Sequence, residues 1–254
     1  MSEELSVHVD DHVGVVEVHR PPDNHFSLDV LTELADTVER LVADGVRALV
    51  LCSEGKNFCA GVDFASGGVG DSPVHTLSAI YAQGLRLYSL PVPVIAAVQG
   101  AAVGGGLGLA CSADFRVASP GTRFHANFGR LGLHQGFGLS VSLPRIVGAQ
   151  KAADMLYTAR RVPGEEAYAI GLADLLVEDG AVREAALEYA QRIAASAPLA
   201  VRSMKATMRA GLLAELPAAL EREIVEQTRL LATEDSEAGV AASLARVDPV
   251  FTGE

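Results

Sequence analysis

The chain has 254 residues, of which 49% are hydrophobic and 20% charged, with no tryptophan; this is the composition of a globular protein built round one extended core. A formal net charge of −12 excludes a protein whose main task is to grip nucleic acid or an anionic membrane, since both need a basic surface. Cys52, Cys59 and Cys111 are odd in number and have no paired metal-ligand spacing, so they read as reduced, buried thiols, and no metal site is expected.

The acidic start, Met1-Ser2-Glu3-Glu4, runs directly into an alternating pattern and does not resemble a targeting peptide, so a cytoplasmic address is expected. Residues Ser6 to Val18 alternate on either side of Asp10-Asp11-His12 and predict a hairpin with one buried face. Leu28, Leu31, Leu34, Val38, Leu41 and Val42 recur at helical spacing and predict an amphipathic helix ending near Gly45. Val46 to Cys52 is too short and too apolar for anything but a buried strand. Residues 65–73 read as a flexible loop, His75 to Leu90 as a helix, and Val92 to Val98 as a second buried strand. Although Val92 to Cys111 is nearly long enough to span a bilayer, Pro93, Gln99 and the cluster of glycines break it into strand, turn and helix start. Strand signals recur at Asp114 to Ala118 and Leu172 to Val177, and the alternation implies an α/β core with parallel crossovers. Beyond Asp179 the pattern is helical, with segments expected at 181–195, 198–212, 216–232 and 234–245 and with Pro198 and Pro217 at helix starts. Residues 1–195 are therefore read as the core and 196–254 as a helical lid or oligomerisation region.

Glycine is concentrated at two strand ends, in Asn57-Phe58-Cys59-Ala60-Gly61-Val62-Asp63 and in Gly100-Ala101-Ala102-Val103-Gly104-Gly105-Gly106-Leu107-Gly108. Backbone without Cβ turns sharply and lets a ligand approach its N–H groups, and at a helix N-terminus those groups carry the positive end of the dipole. The second segment is not a dinucleotide fingerprint, because it reads GxxxGGGxG with no acidic residue placed for a ribose, and no GK[ST] phosphate loop is present.

Together the two loops resemble those of the crotonase (enoyl-CoA hydratase/isomerase) family, whose FxAGxD pattern is matched by Phe58 to Asp63. Its NGxxxGGGxxLAxxxD pattern is matched by Gln99-Gly100, Gly104-Gly105-Gly106, Leu109-Ala110 and Asp114. Arg20-Pro21-Pro22 with Asn24, Leu143 to Gly148, Gly171-Leu172-Ala173 and Pro249-Val250-Phe251 extend the likeness over nearly the whole chain. The resemblance implies an α/β fold, a spiral of strand-strand-helix units, followed by C-terminal helices that assemble a homotrimer or a dimer of trimers. It implies an acyl-CoA thioester as the ligand, coenzyme A being part of the substrate and no separate cofactor being bound, with no nucleic-acid or membrane partner. Val62 and Gly105 correspond to the two N–H donors of the family's oxyanion hole, which stabilise an enolate on the thioester oxygen. Ala60, Asp63 and Gly104 belong to the same loops, Asn24, His25 and Phe26 correspond to the adenine end, and Arg246 is the one basic residue kept from the family's C-terminal phosphate-binding stretch.

The departures are at the acid–base positions. Where family hydratases carry their two glutamates, the aligned residues are Gly108 and Phe128, so water addition by two carboxylates is not expected. The dehalogenases of the family, which share the GGGLG reading, place an aspartate and a histidine where this chain has Gly136 and Tyr81, which disfavours that route. His134 and, second to it, His125 are the candidate proton shuttles near neutrality, and Tyr81 a candidate phenol; each also has an ordinary structural reading. The expected function is enolate chemistry on an acyl-CoA, as lyase or isomerase. The alternatives are an acyl-CoA-binding protein that has lost its acid and base, or a structural protein without a CoA site.

Overall fold

The alternation on either side of Asp11-His12 closes as an antiparallel hairpin of β1 (Leu5–Asp10) and β2 (Val13–Val18), with Val7 opposite Val16 and Asp10 opposite Val13. The computed structural model describes residues 3–64, 68–70 and 72–254. In it β2 is followed sideways by β3 (Ala48–Ser53), β4 (Val94–Ala97), β6 (Phe115–Ala118) and β9 (Leu175–Leu176), all in parallel. A second sheet pairs β5 (Ala101–Val103) with β7 (Arg123–His125) in parallel and β7 with β8 (Arg161–Pro163) antiparallel. Parallel strands need crossovers, and these carry α1 (Leu28–Ala43), α2 (Pro73–Tyr88) and α3 (Gly105–Ser112). Further on come α4 (Leu139–Val147), α5 (Ala149–Thr158), α6 (Gly164–Ala169), α7 (Val182–Ala194), α8 (Pro198–Leu230) and α9 (Glu234–Ala245). The architecture is mixed α/β, as expected from the sequence.

The six-stranded sheet is covered on both faces, which is why β3 shows no polar alternation. Leu49 and Leu51 face the main core with Leu34, Val38 and Leu41 of α1, whereas Ala48, Val50 and Cys52 meet Val182, Ala186 and Ala190 of α7. Ser27 caps α1, its Oγ accepting from the Val30 N–H at 3.3 Å. Ser27→Ala should therefore lower stability by about 1 kcal/mol in urea unfolding; an unchanged midpoint would show that the cap contributes nothing.

The helical reading of the C-terminal region needs one correction. The segments expected at 198–212 and 216–232 are one continuous helix, α8, with Pro217 inside it rather than at a start. A proline there removes one intrahelical bond, but Leu216 and Leu220 are buried in the core on either side of it, and this packing holds the helix together. The strands β5, β7 and β8, of three residues each, are too short to carry a period, and the helices α4, α5 and α6 are not part of the sequence reading. Within the 65–73 loop, Ala65, Ser66, Gly67 and Asp71 lie outside the described residues. Among the described residues no helix is long and apolar enough to cross a membrane, and burial pushes the thiols of Cys52 and Cys59 up to about 12 and that of Cys111 to about 11.

Candidate active site

The two glycine loops lie against each other. Cys59 donates its N–H to the Ala101 carbonyl at 3.0 Å and accepts from the Val103 N–H at 2.9 Å, forming a parallel bridge between Cys59 and Ala102. The approach is so close that a Cβ on Gly106 would collide with the Cys59 carbonyl oxygen, and one on Gly61 would stand 3.1 Å from the Gly105 nitrogen. Gly61 (φ +79°) and Gly104 (φ +54°) also occupy backbone regions that favour glycine. This geometry turns the chain so that Gly105 opens α3 while Val62 stands across from it. Among the described residues neither the Val62 nor the Gly105 N–H has a hydrogen-bond acceptor, and both residues line the same cavity.

That cavity has a volume of about 940 Å³, room for a sizeable ligand. Of the residues singled out in the sequence, Val62, Gly105, Ala60, Asp63, Gly104, His25, Phe26, Tyr81, Phe128 and Arg246 line it. Its far wall is apolar, with Leu77, Ile80, Leu133, Phe137 and Leu231. Helix α9 covers it from the same chain, bringing Val240, Ser243 and Leu244 to the wall. The cover is close because Gly239 and Gly132 have no Cβ; a Cβ there would meet Leu131 C at 2.6 Å and Asp235 C at 2.8 Å respectively.

Four of the expected site residues stand outside that wall. Asn24 is buried and staples loops: its Nδ2 donates to the carbonyls of Glu54 (2.8 Å) and Asn57 (2.6 Å), and its Oδ1 accepts from the Arg20 N–H at 2.9 Å. His134 lies in the turn before α4, its Nδ1 donating to the Gln135 carbonyl at 2.7 Å. His125 lies in β7 with Nε2 donating to the Ala159 carbonyl at 2.8 Å. Burial, helped by Arg161 and Arg130, holds its pKa below 6.5. The unfolded chain therefore takes up this proton first on acidification, so His125 should cost stability as the pH falls through about 6.5. Replacing it by Gln should flatten that part of the stability profile, and an unchanged profile would exclude the effect.

Gly108 is the fourth, and its surroundings explain why no side chain fits there. A Cβ at Gly108 would be 2.6 Å from Phe137 Cβ, and one at Gly84 would be 3.2 Å from the far end of the same ring. Phe137 packs between these two glycines, tilted on Phe26 at 5.6 Å and edge-on to Tyr81 at 6.2 Å between ring centroids. Phe26 in turn leans on Gly105, where a Cβ would come within 2.6 Å of its ring.

The polar groups of the far wall are ones the sequence reading left unmarked except for Tyr81. Tyr81 Oη donates to Gln227 Oε1 at 2.6 Å, and Gln227 Nε2 donates to the His134 carbonyl at 2.8 Å. Burial, reinforced by the nearby Glu223, keeps the phenol well above its ordinary pKa. Glu223 is wholly buried and caps α4, accepting from the N–H groups of Gly138 (2.8 Å) and Ser140 (2.9 Å); burial nevertheless raises its pKa. The signal for Glu223 and Gln227 lay in α8, where two polar residues continue the buried spacing of Leu216 and Leu220.

Comparison with known proteins bears on the family and the fold. A profile of the enoyl-CoA hydratase/isomerase family matches residues 8–254. The chain is 41% identical over 206 residues to the probable enoyl-CoA hydratase EchA14 of Mycobacterium tuberculosis, covering 80% of each protein. It is 33% identical over 254 residues to the crotonyl-CoA hydratase of Syntrophomonas wolfei, covering 95% of each. The crystal structure of an enoyl-CoA hydratase/isomerase from Pseudoalteromonas atlantica superposes with a TM-score of 0.88 at 28% identity, over 98% of this chain and 100% of that one. The loops, the fold and these likenesses agree: the chain belongs to the enoyl-CoA hydratase/isomerase, or crotonase, family.

Proposed function

We propose that the protein holds an acyl-CoA thioester with its carbonyl oxygen between the Val62 and Gly105 N–H groups and carries out enolate chemistry there, as a lyase or isomerase. The observation that carries this reading is the pair of unpartnered N–H groups, Val62 and Gly105, facing one cavity from two interlocked glycine loops. Two fixed donors, one of them opening α3, stabilise negative charge as it develops on the thioester oxygen. Arg246 on the cavity wall, with Arg130 and Arg161 in an adjoining hollow, supplies positive charge for the phosphates of coenzyme A. A cytoplasmic homotrimer or dimer of trimers is the assembly this reading carries.

The carboxylates among the described cavity residues are Glu4, Asp23 and Asp63, none of them in the segments around Gly108, Phe128 or Phe137. Glu4 pairs with Arg20 at 3.0 Å and Asp23 accepts from Asn57 at 2.8 Å. The reaction therefore does not use the family's two glutamates, and with His134 outside the cavity wall the proton is assigned to a group of the substrate. His134→Ala is accordingly expected to leave turnover of the true substrate within about threefold; its abolition, with CoA binding kept, would make His134 the proton carrier. The same shortage of inner carboxylates favours a second reading, a protein that binds acyl-CoA without converting it. A panel of straight-chain, branched and aromatic enoyl-CoAs, assayed for turnover beside calorimetric binding, separates the two. Turnover supports the enzyme, binding alone supports the second reading, and no binding by any member would overturn both.

A further inference from the structure

The Val62 and Gly105 N–H groups are aimed by different means. Each belongs to a planar trans peptide whose carbonyl points the opposite way, so whatever holds the carbonyl also aims the N–H. At Gly105 the holding is done by helix α3 itself, the Gly104 carbonyl accepting from the Gly108 N–H at 3.2 Å. The peptide joining Gly61 to Val62 has no helix behind it, and Gly61, at φ +79°, tolerates more than one orientation of its plane. Its carbonyl is held instead by two groups of one neighbouring segment: the Phe26 N–H donates to it at 3.0 Å and His25 Nδ1 at 3.2 Å. A carbonyl only accepts, so Nδ1 carries the proton in this bond. The segment is fixed in its turn, Arg20 Nη1 donating to the His25 carbonyl at 2.6 Å and the Ala60 N–H to the Asp23 carbonyl at 2.9 Å. His25, Gly61 and Val62 stand together on the cavity wall.

On the basis of the thioester placement proposed above, we infer that His25 is a positioning residue for that site, acting through the Gly61–Val62 peptide and not on the substrate. It does two things. A hydrogen bond into the carbonyl draws electron density toward oxygen, which makes the N–H at the other end of the same peptide a stronger donor. The same bond opposes a turn of the peptide plane that would carry the Val62 N–H out of the cavity. Cooperative strengthening of about 10–30% per bond, applied to a donor whose whole loss costs about 10²–10³-fold in turnover, makes the His25 bond worth about two- to eightfold. This role is separate from the contact with adenine that the resemblance implies for His25. An adenine contact changes the affinity for coenzyme A as a whole, whereas a bond through the peptide changes only what the thioester carbonyl experiences.

Two substitutions separate the bond from the bulk of the ring. His25→Phe keeps the ring and removes the donor, and His25→Asn keeps an N–H near the place of Nδ1 with less bulk. Circular dichroism shows that each is folded, and isotope-edited infrared spectroscopy of bound hexanoyl-CoA, labelled with ¹³C at the thioester carbonyl, reads the polarisation. The band of the bound ligand should return part of the way to its free value in His25→Phe and stay at the native position in His25→Asn. Turnover of any converted substrate should fall about two- to eightfold in His25→Phe alone, and calorimetric affinity for free coenzyme A should be the same in all three proteins. A native band position in His25→Phe, or an equal return in both variants, would overturn the inference while the thioester site stands. So would an effect confined to the affinity for free coenzyme A, which would give His25 to the adenine end. If hexanoyl-CoA does not bind the native protein, or binds with its carbonyl band unmoved, the thioester placement falls and the inference falls with it.

Discussion

Val62→Pro is expected to lower the turnover of an acyl-CoA substrate by about 10²–10³-fold, whereas Val62→Ala should fall well short of that. Proline deletes the one N–H that faces Gly105 across the cavity, and alanine keeps it. The Val62 side chain is only partly buried against the core, so its truncation removes little packing. In the absence of turnover the same contrast should appear in the affinity for the thioester. Because Gly61 beside it is held at φ +79°, circular dichroism and thermal unfolding must show that the proline variant retains the fold. Equal losses in two folded variants would mean that the N–H has no part in recognition.

Crotonyl-CoA hydration by the native protein is expected to be slower than by a two-glutamate hydratase by about 10²–10⁴-fold for each missing acid–base group. Gly108→Glu alone should not repair it. The new Cβ would lie 2.6 Å from Phe137 Cβ and 3.1 Å from its ring, and overpacking of that kind typically costs about 1–3 kcal/mol. The thermal midpoint should therefore fall without any gain in rate. Adding Phe137→Ala opens the space, and Phe128→Glu supplies the second carboxylate on the cavity wall. The triple variant should hydrate crotonyl-CoA faster than the native protein and faster than Gly108→Glu. Rapid hydration by the native protein would contradict the account at once, because it would show that water addition does not need carboxylates at Gly108 and Phe128.

What the sequence made legible follows from how each feature is encoded. The hairpin β1–β2 and helix α1 were readable because each repeats a period of apolar residues over six positions or more, and strand β3 because it is a short, nearly unbroken apolar run. The paired loops at Gly61 and Gly104-Gly105 were readable because their close approach tolerates only glycine at several places. Pro217 misled because its local cost is outweighed by burial of Leu216 and Leu220, which no local pattern reveals. The positions of His134 and His125 were likewise out of reach, since a residue's number in a loop does not say which side of the backbone its ring takes. Phe137 and Gln227 shape the cavity from segments 90 residues apart in sequence. Only the folded chain shows that Phe137 occupies the space left at Gly108, and that Tyr81 occupies the space left at Gly136.

The central claim is that the two free N–H groups polarise a thioester carbonyl, and isotope-edited infrared difference spectroscopy reads that bond directly. With ¹³C at the carbonyl of bound hexanoyl-CoA, the account predicts a carbonyl band at lower frequency than in free solution, shifted back toward the free value in Val62→Pro. A bound ligand whose carbonyl band is unmoved, or moved equally in the native protein and in Val62→Pro, would contradict it.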